Sequence, residues 1–273
     1  MLNNCFDNTV YSEFIGQDKT RAAHYAALLR ELETLVKDSH FNTESPIKIL
    51  DMGCGDGRFA KFLKARFGDK VAITGFDPAH KLIEIAKQSA SDINFIEASA
   101  QSFQSNETYD IVFSTLVLPY AENTQSLNDM FAAAHGHIAK GGHFISVTFN
   151  PGFIPTGQQD APNRSFERLA NHRIRINFLS HDDPNKIEVR ADARHWGKKP
   201  YEMAARNAGF RSINWKLLDV TANGSDTAET HGIVTSRCPY IVLDMQKPRE
   251  ISKGLLGAHT ARTARDGSDI ELG

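Results

Sequence analysis

The run Ile49-Leu50-Asp51-Met52-Gly53-Cys54-Gly55-Asp56-Gly57 decides the reading of this chain. A short apolar segment, Ile47–Met52, ends in three glycines at alternate positions, and a helical period starts directly after them. A buried strand therefore enters a turn too crowded for side chains, and a helix leaves it. Phe59, Phe62, Leu63 and Phe67 carry the helical spacing, and Gly68 is a plausible stop. The same alternation continues outward. Val71–Phe76, Ile93–Ile96, Tyr109–Leu118 and His143–Phe149 read as further strands. Between them lie a helix with Leu82, Ile83 and Ala86 after Pro78, and a stripe of Leu127, Met130, Phe131, Ala134 and Ile138 that ends before Gly141-Gly142. Strand and helix in this rhythm predict an α/β fold with a doubly wound, Rossmann-like sheet, its strands mostly parallel.

Past residue 150 the rhythm breaks. Pro151, Gly152, Pro155, Gly157 and Pro162 mark 151–165 as a loop. Ile174, Ile176 and Phe178 then alternate with Arg173, Arg175 and Asn177, and Ile187, Val189, Ala191 and Ala193 form a second alternating run. Turn residues 180–185 between the runs predict an antiparallel hairpin. A helix from about Pro200 to Ala208, closed by Gly209, returns the chain to the sheet. Ile213–Val220 and Tyr240–Met245 complete seven strands as an antiparallel pair, the last strand running against its neighbours. Before the first strand, Ala22–Val36 with Leu28, Leu29, Leu32 and Leu35 is an amphipathic helix. The expected organisation is an N-terminal helical cap (1–40), a ligand-binding sheet domain (41–247) with a lid inserted at 151–199, and a disordered or loosely attached tail (248–273).

Composition sets the limits. The chain has 273 residues, 41% hydrophobic and 23% charged, enough to bury a core. Thirty-one Lys and Arg against 33 Asp and Glu give a net charge of −2, so no global basic field exists to hold a nucleic-acid backbone. Three scattered cysteines give neither a disulfide framework nor metal-ligand spacing. No signal peptide or membrane span is visible, and a cytoplasmic protein is expected.

In a doubly wound sheet, the turn after the first strand lies at the carboxyl edge where ligands bind. Asp77, at the end of the second strand, is placed to accept hydrogen bonds from a ribose diol. NAD and S-adenosylmethionine (SAM) both present that diol. A dinucleotide fingerprint wants G-x-G-x-x-G, yet position 58 is Arg. Asp51 just before the loop would repel a pyrophosphate and suit an ammonium and a sulfonium, so the electrostatics favour SAM.

These residues give residues 47–150 the look of a class I SAM-dependent methyltransferase core. Ile49–Gly57 resembles the family's first motif and Asp77 its ribose-binding acid. Tyr109–Ser114 resembles its fourth-strand motif, and Gly141-Gly142-His143-Phe144 the glycine pair before the fifth strand. The resemblance implies that Asp51, Gly53, Cys54 and Gly55 cradle the methionine moiety. It also implies that Asp77 and Pro78 hold the ribose, and that Ser99, Ala100 and Ser114 complete the site. Ser99 stands where the family usually has an acid that contacts the adenine amine. Tyr11 is expected to close over the cofactor. Cys54 reads as a small filler rather than a nucleophile.

The acceptor is less constrained. After the fourth strand, Ser114–Tyr120 lacks the Asn/Asp-Pro-Pro-aromatic signature of enzymes that methylate exocyclic amines, and no acidic pair suggests a metal site. The 151–199 insertion resembles the lid of toxoflavin-type small-molecule methyltransferases. His195 is the candidate general base, by its parity with the hairpin's apolar face. Tyr120, Phe149 and Trp196 are candidate acceptor contacts. The expected partner is a small, flat metabolite methylated on oxygen or nitrogen. Alternatives are an RNA or protein methyltransferase, given a local +4 over residues 164–199, and a non-catalytic SAM-binding module. Oligomeric state is not readable.

Overall fold

A computed structural model describes residues 19–37, 45–180, 182–218 and 238–249. Among the described residues, eleven strands and five α-helices follow in chain order. They are α1 (Lys19–Lys37), β1 (Ile47–Met52), α2 (Arg58–Phe67), β2 (Val71–Asp77), α3 (His80–Ser89), β3 (Asn94–Glu97), β4 (Tyr109–Thr115), α4 (Thr124–His137) and β5 (Ile138–Phe149). Then come β6 (Gln159–Ala161), β7 (Arg164–Leu169), β8 (Arg173–Leu179), β9 (Ile187–Arg194), α5 (Lys198–Ala208), β10 (Asn214–Leu217) and β11 (Tyr240–Gln246).

Seven strands form one sheet in the order β10-β11-β5-β4-β1-β2-β3. β1 to β5 are mutually parallel, and β11 runs antiparallel to both β5 and β10. Successive side chains of a strand point to opposite faces, and this sequence supplies apolar groups to both. Ile49, Ile73, Phe113 and Val147 face α1, α2 and the insertion, while Leu50, Phe76, Val112 and Phe144 face α4 and α5. Each fully buried Phe or Leu contributes roughly 1.5–3 kcal/mol, so two continuous apolar layers fix the sheet's register. Asp51 has the parity of Ile49 and is carried to the α1 face, where it is buried.

Three local expectations change. β4 stops at Thr115, and Leu118–Tyr120 coils into a short 3₁₀ turn. β5 starts at Ile138, because a register shift opposite Tyr109 and Ile111 absorbs the Gly141-Gly142 pair into the strand. A side chain on Gly142 would meet the Asp110 carbonyl oxygen at 2.5 Å. The lid is a four-stranded antiparallel sheet, β6-β7-β8-β9, rather than a two-stranded hairpin beyond a loop. Pro162-Asn163 is a hairpin turn, with Asn163 at φ 55° in the left-handed region that Asn tolerates.

Helix α1 is tied down at both ends. Thr20 Oγ1 donates to the Pro162 carbonyl of the lid at 2.9 Å, and Glu31 pairs with Lys216 of β10 at 2.6 Å. Lys216 lies 3.6 Å from Asp244, which accepts from His143 at 2.8 Å. Burial pushes the Asp244 carboxyl up, but the His143 hydrogen bond and the His143 and Lys216 charges outweigh it and hold the group below its usual range. This network fixes the face that α1 presents to the sheet.

Among the described residues no helix is long and apolar enough to cross a membrane. Residues 1–18, with Tyr11, and the tail from 250 onward lie outside the described residues.

Candidate active site

A cavity of about 710 Å³ opens at the carboxyl edge of β1, β2 and β4, between the glycine turn, α1 and the lid. The turn's shape comes from its glycines. Gly53, Gly55 and Gly57 all have positive φ, at 73°, 55° and 74°. A Cβ on Gly53 would lie 2.3 Å from Val117 Cγ2 and one on Gly57 2.6 Å from Phe95, so packing forbids side chains there. Gly55 differs: its nearest atom would be Leu82 at 3.9 Å. Its bare backbone faces open space where a ligand can approach closely.

Asp77 braces this turn. One carboxylate oxygen accepts from the Gly55 N–H at 3.0 Å and the other from the Ala79 N–H at 2.8 Å. Each oxygen has a second lone pair, so the bracing leaves acceptor capacity for a diol. Burial raises the Asp77 pKa, partly offset by the two backbone bonds. Asp51 is less comfortable. Its Oδ2 is buried with no hydrogen-bond partner among the described residues, and burial, Asp77 and Asp56 push its pKa up to about 7. A buried carboxylate without a donor is costly, and a cationic ligand would supply what is missing. Asp56 pairs with Arg58 at 2.7 Å.

Burial and the neighbouring carboxylates push the Cys54 thiol well up, so it stays protonated. Its Cβ and Sγ fill the space that Gly75 leaves, consistent with a packing role. Beyond β4, Leu116 lines the cavity at φ 57°, a left-handed backbone that β-carbon residues rarely adopt and that clusters at functional sites. Its N–H is held by the Val147 carbonyl at 2.8 Å.

Ten of the sequence candidates line the cavity: Asp51, Gly53, Cys54, Gly55, Asp77, Pro78, Ser99, Ala100, Tyr120 and Phe149. The Ser99 hydroxyl is already engaged with Ser102, at 3.1 Å to its hydroxyl and 3.2 Å to its N–H. Three candidates lie elsewhere. Ser114 is fully buried inside β4, and its neighbour Thr115 reaches the cavity instead. Trp196 packs with α4 and α5 on the opposite face, with the Arg194 guanidinium 5.3 Å above its ring. His195 does not line the cavity: its Nε2 meets the Asn150 carbonyl at 2.8 Å and its backbone N–H the His172 carbonyl. Burial lowers its pKa. Parity had put the ring on the buried face, and the bend after β9 takes it to the end of β5.

The structure adds residues that sequence reading missed. Arg21, His24 and Tyr25 of α1, Arg164 of β7 and Tyr240 of β11 also line the cavity, and Tyr25 lies near enough to Asp51 and Asp56 to feel their charges. Arg21, Tyr25, Leu28 and Leu32 follow one helical stripe, a signal present in the sequence. Arg164 was hidden because β7 was read as loop at its start. In the sheet it stands opposite Phe178 and shares the parity of buried Phe166, so it points inward at 3% exposure.

Residues 49–142 match the family described as "Methyltransferase domain". The chain is 32% identical over 166 residues to a ubiquinone biosynthesis O-methyltransferase of Rickettsia felis, covering 52% of this chain and 66% of that protein. It is 29% identical over 115 residues to a malonyl-[acyl-carrier protein] O-methyltransferase of Bacillus anthracis, covering 41% of each. The match thus spans just under two thirds of the first relative and less of the second. Among solved structures, a SAM-dependent methyltransferase from Clostridium acetobutylicum superposes with a TM-score of 0.58 at 14% identity, covering 90% of this chain and 97% of that one. An amino pentose methyltransferase from Micromonospora echinaspora with SAM bound gives 0.56 at 15% identity, covering 88% and 97%. These two show the shared fold.

Proposed function

We propose that this chain, whose residues 49–142 match a methyltransferase domain and whose fold is shared with a SAM-dependent methyltransferase, is a class I SAM-dependent methyltransferase that transfers the SAM methyl group to oxygen or nitrogen of a small-molecule acceptor. The observation that carries the cofactor assignment to named residues is the buried Asp51 oxygen, which has no hydrogen-bond partner among the described residues, on a side chain that lines the cavity beside the Asp77-braced turn. When bound, SAM supplies a sulfonium methyl open to in-line displacement, in which the carbon–sulfur bond breaks as the bond to the acceptor forms and sulfur keeps the electron pair.

The chain's own part is positioning and exclusion of water. Asp51 accepts from the cofactor's ammonium, and its ionised form is favoured by that charge. Asp77 accepts from the ribose hydroxyls with the lone pairs left over from Gly55 and Ala79. Gly53 and Gly55 with Cys54 form the floor, Pro78 flanks the ribose, and Ala100 with the Ser99 segment borders the adenine end. The lid covers the acceptor side, where Tyr120 and Phe149 offer aromatic walls. Orientation in a closed site can supply much of the acceleration without a dedicated base. Both curated relatives are named O-methyltransferases, which supports oxygen as the acceptor atom.

In this reading residues 41–247 are the SAM-binding domain, 151–199 its lid and 1–40 its cap. On the outer lid Arg175 is bidentate to Asp192 at 2.8 and 2.9 Å, so this pair is held within the sheet, which supports a small acceptor over nucleic acid. The test is calorimetric titration with SAM and with NAD, followed by labelled-SAM turnover against a cell extract and mass spectrometry of the product. Binding of SAM alone and release of S-adenosylhomocysteine are expected. Binding of NAD instead, or SAM binding with no turnover across the extract, would overturn the enzyme reading.

A further inference from the structure

Along the carboxyl edge of the sheet, side chains of one parity form the floor of the cavity. Asp51 ends this row on β1, followed by Thr115 on β4, Phe149 on β5 and Tyr240 on β11, the last two being register partners. His24 of α1 closes the row at the lid end, where its ring meets Tyr240 edge-on at 4.4 Å. The side chain lines the cavity although the residue is only 2% exposed. Asp51 Oδ2 at one end of the row and His24 Nε2 at the other are buried with no hydrogen-bond partner among the described residues. Such an atom costs stability until an occupant pairs with it. The cofactor's ammonium answers Asp51, and nothing assigned so far answers His24.

The helix holds this ring in place. Thr20, one turn earlier, is bonded to the Pro162 carbonyl of the lid at 2.9 Å, and Glu31, two turns later, is paired with Lys216. Tyr25, the next residue of α1, feels the charges of Asp51 and Asp56. His24 is thus one residue away from a side chain that borders the glycine turn.

Resting on the methyltransferase reading above, we infer that His24 is a catalytic residue whose Nε2 accepts the hydrogen bond, and then the proton, of an uncharged acceptor hydroxyl carried on an apolar body. Phe149, Ile176 and Phe178 wall the space for that body. As the acceptor oxygen takes the methyl group, its lone pair forms the carbon–oxygen bond and the carbon–sulfur pair stays on sulfur. The hydroxyl proton passes to Nε2, and from there to water when the product leaves. Burial, then the charges of Arg164 and Arg21, hold the His24 pKa well below its ordinary value, so the ring is neutral near pH 7. A neutral imidazole keeps one lone pair, here on Nε2. A base this weak does not strip an ammonium ahead of attack. A hydroxyl proton, by contrast, turns strongly acidic while its oxygen is being methylated, and a weak base then suffices. The ring therefore selects oxygen over nitrogen as the acceptor atom.

The test uses the full chain saturated with S-adenosylhomocysteine, titrated by calorimetry with phenol and with anisole, which has the same ring and no hydroxyl proton. Phenol is expected to bind saturably and about threefold or more tighter, the worth of one hydrogen bond. His24→Phe keeps a ring against Tyr240 and should abolish that preference, whereas His24→Gln still offers an acceptor oxygen and should retain it. Turnover of labelled SAM with the acceptor-bearing fraction of a cell extract then separates binding from proton transfer. His24→Gln should lose about tenfold or more in rate while SAM affinity stays within about threefold, and NMR of the product should find the methyl group on oxygen. Equal binding of phenol and anisole by the parent, an undiminished preference in His24→Phe, a smaller loss of rate in His24→Gln, or methylation on nitrogen would each overturn the inference. If neither variant folds, the parent's phenol preference and the position of the methyl group still decide it. Failure of the parent to bind S-adenosylhomocysteine counts against the methyltransferase assignment alone, because the phenol and anisole titrations can be repeated on ligand-free protein.

Discussion

At the glycine-loop end of the cavity three carboxylates, Asp51, Asp56 and Asp77, crowd a turn whose backbone donors are already spoken for. At the lid end two guanidiniums flank a neutral histidine against aromatic walls. The loop end holds like charges together in a buried place, at a cost to the ligand-free fold, and is therefore poised for a ligand of the opposite sign, whereas at the lid end Arg164 donates to the Tyr240 hydroxyl. The two ends differ in how tightly they are built. The loop end is fixed by positive-φ glycines packed on Val117 and Phe95, whereas the lid end is assembled from three separate elements: α1, β7 and β11. Cofactor binding should thus tolerate almost no change in backbone, and acceptor binding should tolerate change in side chains.

The sharpest way to break this comparison is Asp51→Asn. A carboxyl raised from 3.8 to about 7 in the folded state stabilises the ligand-free protein fully only below pH 4 and loses that contribution as pH rises through 7. The amide carries no charge, so at pH 8 the ligand-free variant should be more stable than the parent, with a ceiling of about 4 kcal/mol. Urea unfolding at pH 8 and pH 4 measures this, and the gain should vanish at the lower pH. In the parent, SAM affinity should fall about tenfold between pH 7 and 5.5 as Asp51 is protonated, and the variant should show a flat, weak profile there. Equal stability of parent and variant at pH 8 would mean that the loop end is not strained by charge.

Asp77→Ala comes next. It removes the ribose acceptor together with the Gly55 and Ala79 partners, so SAM affinity should drop by about 2–3 kcal/mol, or thirty-fold or more. Calorimetry gives the number. Unchanged affinity would detach Asp77 from the cofactor and leave it as a brace alone.

At the lid end the parallel substitution is Arg21→Met, which keeps the length of the chain and removes one of the two like charges near His24. Stability of the ligand-free protein should rise by about 1 kcal/mol, less than at the loop end because Arg21 is only partly buried. A fall of the unfolding midpoint instead would show that the guanidinium contributes more by packing than it costs by charge.

The contrast between the ends also explains what the sequence disclosed. The loop end is local: strand, glycines and acid lie within nine residues, Ile49–Gly57, and Asp77 follows one crossover later. Such a unit can be read from spacing because its geometry is dictated by backbone crowding. The alternation of strand and helix and the antiparallel last strand were legible through the period of apolar residues, whereas the strand order was not. The lid end is non-local. Arg164 becomes a cavity residue only when β7 pairs with β8 and Arg164 stands opposite Phe178, and Tyr240 reaches it from 76 positions later in the chain. Arg21 and His24 were readable as the polar start of an apolar helical stripe, but nothing in α1 alone says which cavity that stripe borders.

The smallest expected effect concerns His195, and it bears on where the acceptor's proton goes. The ring lies outside the cavity, with Nε2 on the Asn150 carbonyl at 2.8 Å, so a base role would require it to leave that carbonyl and cross the end of β5. His195→Gln keeps a donor for Asn150 and removes the titratable ring. SAM affinity should change less than twofold, stability by about 1 kcal/mol through the altered contact, and the pH profile of turnover should keep its shape. A base at this position would instead shift or abolish the acidic limb of kcat, because ionisation of the ring would no longer gate proton removal. An acidic limb retained in kcat/KM for SAM would fit Asp51, whose titration near pH 7 in the ligand-free protein gates cofactor binding. Measuring both profiles in one variant therefore separates a base under the lid from a charge under the cofactor.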